Sequence, residues 1–132
     1  MTYYVGVLDG SGDVWGVRLP DIPGCVGGGE SAEAAIRSVT EALSAVAAHR
    51  RKGGFALPPP SPLAEIRASG EIGENESAVM IPLLAESGRT VRAAVNFDAD
   101  LLEAIDEAAK RRGVSRSAFL ASAARDKISA EA

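Results

Sequence analysis

The sequence predicts an α+β protein in two parts. A small β-sheet with one packed helix, in the order β-β-β-α-β, occupies residues 1–86, and a strand-helix-helix unit occupies residues 89–130. Three observations lead there. Two β-rich runs are separated by glycines and aspartates near the start, one long amphipathic helical pattern follows a serine at position 31, and the last third holds an alternating strand followed by two helical patterns.

The first run is Tyr3-Tyr4-Val5-Gly6-Val7-Leu8 and the second is Val14-Trp15-Gly16-Val17-Arg18-Leu19. The turn-rich Asp9-Gly10-Ser11-Gly12-Asp13 between them predicts a hairpin. Pro20-Asp21-Ile22-Pro23-Gly24 forces an irregular bend, with a short third strand expected around Cys25 and Val26. Ser31 is placed to cap the next helix, in which Ile36, Val39, Leu43 and Val46 recur at intervals of three and four. Arg50, Arg51 and Lys52 suit the negative end of that helix, and Gly53-Gly54 ends it. Residues Phe55 to Pro62, with Pro58-Pro59-Pro60, read as a stiff strap. Leu63 to Ser69 allows one or two helical turns. A fourth strand is expected from Ala78 to Leu84, where Pro82 restricts it to an edge or a bulge. Glu86-Ser87-Gly88 is the expected junction.

From Val91 to Phe97 the residues alternate, Val91, Ala93, Val95 and Phe97 against Arg92, Ala94 and Asn96, as in a half-buried strand. Asp98 and Asp100 open a helix with Leu101, Leu102, Ile105, Ala108 and Ala109 on one stripe, closed by Lys110-Arg111-Arg112-Gly113. Ser115 caps a second helix, Val114 is placed to staple onto Phe119, and Phe119, Leu120, Ala123, Ala124 and Ile128 form its apolar stripe. A lone strand before two helices leaves backbone groups unpaired on both edges, so a second copy is expected to supply the partner strand.

This tail resembles the ribbon-helix-helix family of DNA-binding domains, departing from it at Asp98, where that family often has proline. With the tail included, the chain resembles the HicB family of antitoxins. The residues that carry the resemblance are Tyr4-Val5-Gly6-Val7, Trp15-Gly16-Val17, Leu19-Pro20-Asp21-Ile22-Pro23-Gly24-Cys25, Gly29-Glu30-Ser31 with Ala34-Ala35, and Leu57-Pro58-Pro59-Pro60. The resemblance implies a partial ribonuclease-H-like fold in the first part, which binds and blocks a small basic HicA-type mRNA-cleaving toxin. It implies autorepression of the operon by the tail, on operator DNA, as a homodimer with higher assembly left open.

The expected DNA-contacting residues follow from side-chain chemistry. Arginine reads guanine and asparagine reads adenine, which nominates Arg92 and Asn96, while Ala94 between them permits close approach or meets a thymine methyl. Ser115, Arg116 and Ser117 offer backbone N–H groups, hydroxyls and a guanidinium to a phosphate. The charge is split to match: residues 1–88 hold 6 basic and 11 acidic side chains, and residues 89–132 hold 8 and 7. The net charge of −4 therefore belongs to the first part, which suits a basic partner rather than nucleic acid.

Other chemistry is weakly supported. Asp9, Asp13, Asp21 and Glu33 are the carboxylates from which a two-metal cluster would be built, but Asp9 and Asp13 fit a turn without catalysis. His49 has no nucleophile near it in sequence, and Gly27-Gly28-Gly29 before a helix reads as a loop rather than a phosphate cradle. Cys25 is the single cysteine, so neither an internal disulfide nor a cysteine-based zinc site is available. Trp15 suits the core or a partner surface. No cofactor or metal is expected, and no enzymatic activity. No run approaches the roughly 20 apolar residues that span a bilayer, and the first residues lack a charged-then-apolar signal, so a cytoplasmic protein without membrane contact is expected. Two other readings fit the same residues: a ribbon-helix-helix transcriptional regulator whose front part senses a ligand or oligomerises, and a metal-dependent nuclease.

Overall fold

A computed structural model describes residues 1–84 and 91–130. It divides into two compact units, Met1–Glu86 with Ile128–Ala132, and Ser87–Lys127. The expected junction Glu86-Ser87-Gly88 lies outside the described residues, and among these no helix is long and apolar enough to cross a membrane.

In the first unit, β1 (Tyr3–Ser11) and β2 (Val14–Arg18) form the expected hairpin, in register Leu8 to Val17 and Ser11 to Val14. Gly12-Asp13 is its two-residue turn, and Gly12 has φ 59°, a conformation a side chain disfavours. The bend after β2 is closed by backbone bonds. Leu19 N–H donates to Cys25 O, Ile22 N–H to Leu19 O and Cys25 N–H to Ile22 O, at 3.0 to 3.1 Å, while all three side chains are buried. The third strand, β3, is Val26–Gly29, so the glycine run read as a loop is a strand, paired antiparallel with β2. Its glycines have a packing cause. A methyl at Gly27 would sit 2.3 Å from the Val39 backbone nitrogen, and one at Gly29 would sit 2.6 Å from Ala34 Cβ. Helix α1 (Ala32–Lys52) thus lies directly on β3, at a distance that only glycine permits.

Ser31 caps α1 by accepting the Ala34 N–H at 3.1 Å, and Ile36, Val39 and Leu43 bury the expected stripe. They meet Tyr4, Val17, Leu19, Ile22, Cys25 and Ile81 in one core, with Val46 and Trp15 packed at its margin. Each such aliphatic side chain contributes roughly 1.5 to 3 kcal/mol when fully buried. The strap beyond α1 is tied down rather than merely stiff: Tyr4 Oη donates to Pro58 O, and Ser61 N–H and Oγ both donate to the Asp21 carboxylate at 2.7 Å. After α2 (Leu63–Ala68), β4 (Ser77–Pro82) pairs antiparallel with β1. Sheet order is β3-β2-β1-β4, which places Pro82 on an edge strand, where its missing N–H is tolerated. In β1 the consecutive residues Tyr4 to Val7 are all buried, so the middle of the sheet is covered on both faces.

The second unit holds α3 (Ala99–Arg112) and α4 (Arg116–Ala130). Residues 91–98 are not a strand of the single chain, contrary to the expectation for Val91–Phe97. A strand exists only against a partner, and no described strand of this chain pairs with the segment. Ala123 and Ala124, expected on a buried stripe, are likewise exposed in the single chain, whereas Phe119, Leu120 and Ile128 are half-buried.

Candidate functional site

The second unit is built around the turn between α3 and α4. The Asp98 carboxylate accepts the Asp100 N–H at 3.1 Å and starts α3. Its end is a Schellman arrangement: Gly113, at φ 68°, donates its N–H to Lys110 O, and Val114 N–H reaches Ala109 O at 3.0 Å. Ser115 then caps α4 by accepting the Ala118 N–H at 3.1 Å. This tight local chemistry fixes where Arg116 and Ser117 emerge. The Phe119 ring lies beneath the Arg112 guanidinium, 5.8 Å from it, and Ile105 and Ala109 of α3 are buried.

Three of the six nominated DNA-contacting residues come together. Asn96, Arg116 and Ser117 line one recess of about 370 Å³ with Ala93, Val95 and Leu120. Arg92 and Ala94 lie outside it and are exposed, and Ser115 is engaged as the cap. Asn96 therefore shares a recess with Ala93 and Val95, which strict alternation would place on the opposite face. Arg116 is the second departure from the sequence reading. Its Nε and Nη2 donate to the two oxygens of Asp106, each at 2.8 Å. The fork lowers the pKa of the Asp106 carboxyl and raises that of Arg116, in both cases chiefly through these hydrogen bonds. Asp106 was not nominated from sequence, since it stands ten residues away across a turn and carries no local signal.

Apolar side chains around the segment are open to solvent. Val91 is 76% exposed, Val95 68% and Leu101 51%, although they belong to the alternating and helical patterns of the sequence.

In the first unit, Arg18 Nη1 meets Glu76 at 2.7 Å, while Nη2 donates to Glu76 and to Glu71 O. Those bonds, joined by the Gly73 N–H at 2.8 Å, hold the Glu76 carboxyl down at about 2. Cys25 is buried, which pushes its thiol pKa up and disfavours the reactive thiolate. Asp21 is held by Ser61, and among the described residues no group of three or more His, Cys, Asp or Glu is placed to hold a metal ion.

The chain matches the family model described as the HicB_like antitoxin of bacterial toxin-antitoxin systems over residues 3–124. No curated protein matches it. Among solved structures it is similar to the Burkholderia pseudomallei antitoxin HicB, at 28% identity and TM-score 0.58 over 95% of this chain and 97% of that one. It also shares its fold with the antitoxin HicB3, at 24% identity and TM-score 0.55 over 96% and 98%. A family match that spans the sheet, the strap, α3 and the start of α4 settles the membership: this chain belongs to the HicB-like antitoxin family of bacterial toxin-antitoxin systems.

Proposed function

We propose that this chain binds and neutralises a HicA-type toxin, a small basic mRNA endoribonuclease, and represses its own operon through residues 89–130. The family match over residues 3–124 carries the reading, because it includes both units in one antitoxin architecture. In this reading the first unit is a partial ribonuclease-H-like domain that masks the toxin, and the second is a ribbon-helix-helix dimer on operator DNA. The protein acts in the cytoplasm and is not an enzyme.

Two features support the dimer. Among the described residues, 91–98 pair with no strand, and the apolar Val91, Val95 and Leu101 are exposed. Antiparallel pairing with a second copy satisfies the backbone and covers those side chains together. Arg92 and Asn96 then supply base-reading chemistry, with Ser115, Arg116 and Ser117 toward phosphate. Co-expression with the small protein encoded beside it tests the reading. Growth arrested by that protein alone is restored by this chain, and a dimer appears in sedimentation; persistent arrest with the folded chain present refutes it.

A further inference from the structure

The sheet of the first unit is covered unevenly. Tyr4, Val17 and Ile81 meet α1 on one face. On the other, Val5 and Val7 of β1 are buried, yet the neighbouring half formed by β2 and β3 is bare. Val14 is 73% exposed and Val26 60%, and Gly16 and Gly28, paired across the strands between them, carry no side chain to cover the backbone. A groove of about 390 Å³ runs over this half, lined by Val7, Asp9, Val14, Arg18 and Val26. It adjoins β3, an edge of the sheet.

The charge around the groove selects the occupant. Arg18 is bonded to Glu76, and the charges of Glu76, Glu71 and Asp9 all act on its guanidinium. Glu76 therefore neutralises Arg18, Glu71 adjoins it through its main-chain oxygen, and the Asp9 carboxylate lining the groove is left in excess, in a part of the chain that carries 11 acidic and 6 basic side chains. A second copy of the chain is a poor fit, because a two-fold contact sets the same patch against itself and faces the Asp9 carboxylate with its own copy. A partner with a small apolar patch ringed by lysine or arginine fits both the bare valines and the Asp9 carboxylate.

We infer that the open β2–β3 face, centred on Val14 and Val26 and edged by Asp9 and the Arg18–Glu76 pair, is where the first unit seats the basic surface of its toxin. The inference rests on the antitoxin reading above and adds the place of contact.

The test uses the full chain and the purified basic protein encoded beside it. Val26→Arg and Asp9→Lys place positive charge in the groove at exposed positions, whereas the control Phe55→Arg places it at a 72% exposed residue outside the groove. By calorimetry, each groove variant weakens toxin binding about tenfold or more, as expected for charge reversal at an interface. Phe55→Arg stays within about threefold of the unaltered chain. Circular dichroism reports whether each variant is folded, and if Val26→Arg disturbs the sheet, Asp9→Lys alone decides. Unaltered toxin affinity in a folded groove variant overturns the inference, as does a change confined to self-association in sedimentation. If the unaltered chain binds no such toxin, the antitoxin reading itself fails, and this is seen before any variant is made.

Discussion

Arg116 and Asp106 close a two-pronged ion pair across the α3–α4 turn, in which one carboxylate occupies two of the five N–H donors of a guanidinium nominated for phosphate. Both side chains are about half exposed, so a phosphate can compete for the arginine. Asp106→Asn therefore tightens binding to operator DNA. Arg116→Ala lowers the slope of log affinity against log salt by about 0.9, the value of one phosphate contact. Filter binding at several salt concentrations measures both. Weaker binding by Asp106→Asn would show the pair to be a strut that holds α4 in place.

Arg92 is exposed and, among the described residues, makes no ion pair. Its removal breaks no ion pair among the described residues. Arg92→Ala weakens specific DNA binding by about 1 to 3 kcal/mol and relaxes the preference at one position in each half-site, while the dimer persists. Equal loss on specific and random DNA at fixed salt identifies a phosphate contact instead.

Gly27→Ala drives a methyl into the α1 backbone at Val39, where neither neighbour is a flexible side-chain tip. Overpacking of this kind costs about 1 to 3 kcal/mol or more. Chemical denaturation shows the loss as a lower midpoint. The same change at Gly12 acts differently: a methyl there meets nothing within 4 Å, and the strain comes from φ 59° alone.

The Arg18–Glu76 pair sets part of the acid limb of stability. The Glu76 carboxyl titrates at about 2 in the folded chain against an ordinary 4.5, so the unfolded chain binds its proton more readily. Its contribution is complete above about pH 4.5 and is lost as the pH falls through the interval down to 2. Glu76→Gln flattens the decline in melting temperature across that interval. An unchanged slope contradicts the role assigned to the pair.

Local chemistry was legible in the sequence, and contacts between distant segments were not. The Ser31 and Ser115 caps, the glycine stop at Gly113 and the stripe of Ile36, Val39 and Leu43 depend on residues within one or two turns, and all stand where spacing places them. The strand role of Gly27 to Gly29 depends on where α1 comes to rest, and the Asp21–Ser61 tie joins residues forty positions apart. Val91 to Phe97 differs in kind. Its alternation is plain, but a strand needs a partner to pair with, and no described strand of this chain supplies one.

In the proposed function, toxin neutralisation and DNA binding reside on separate surfaces of one antitoxin. Full-length chain carrying Arg92→Ala with Asn96→Ala tests it most directly, assayed side by side for rescue of toxin-arrested growth and for retention of operator DNA. Rescue at the level of the unaltered chain with operator binding lost is the predicted result. Loss of rescue in step with operator binding, in a folded and dimeric protein, would contradict it.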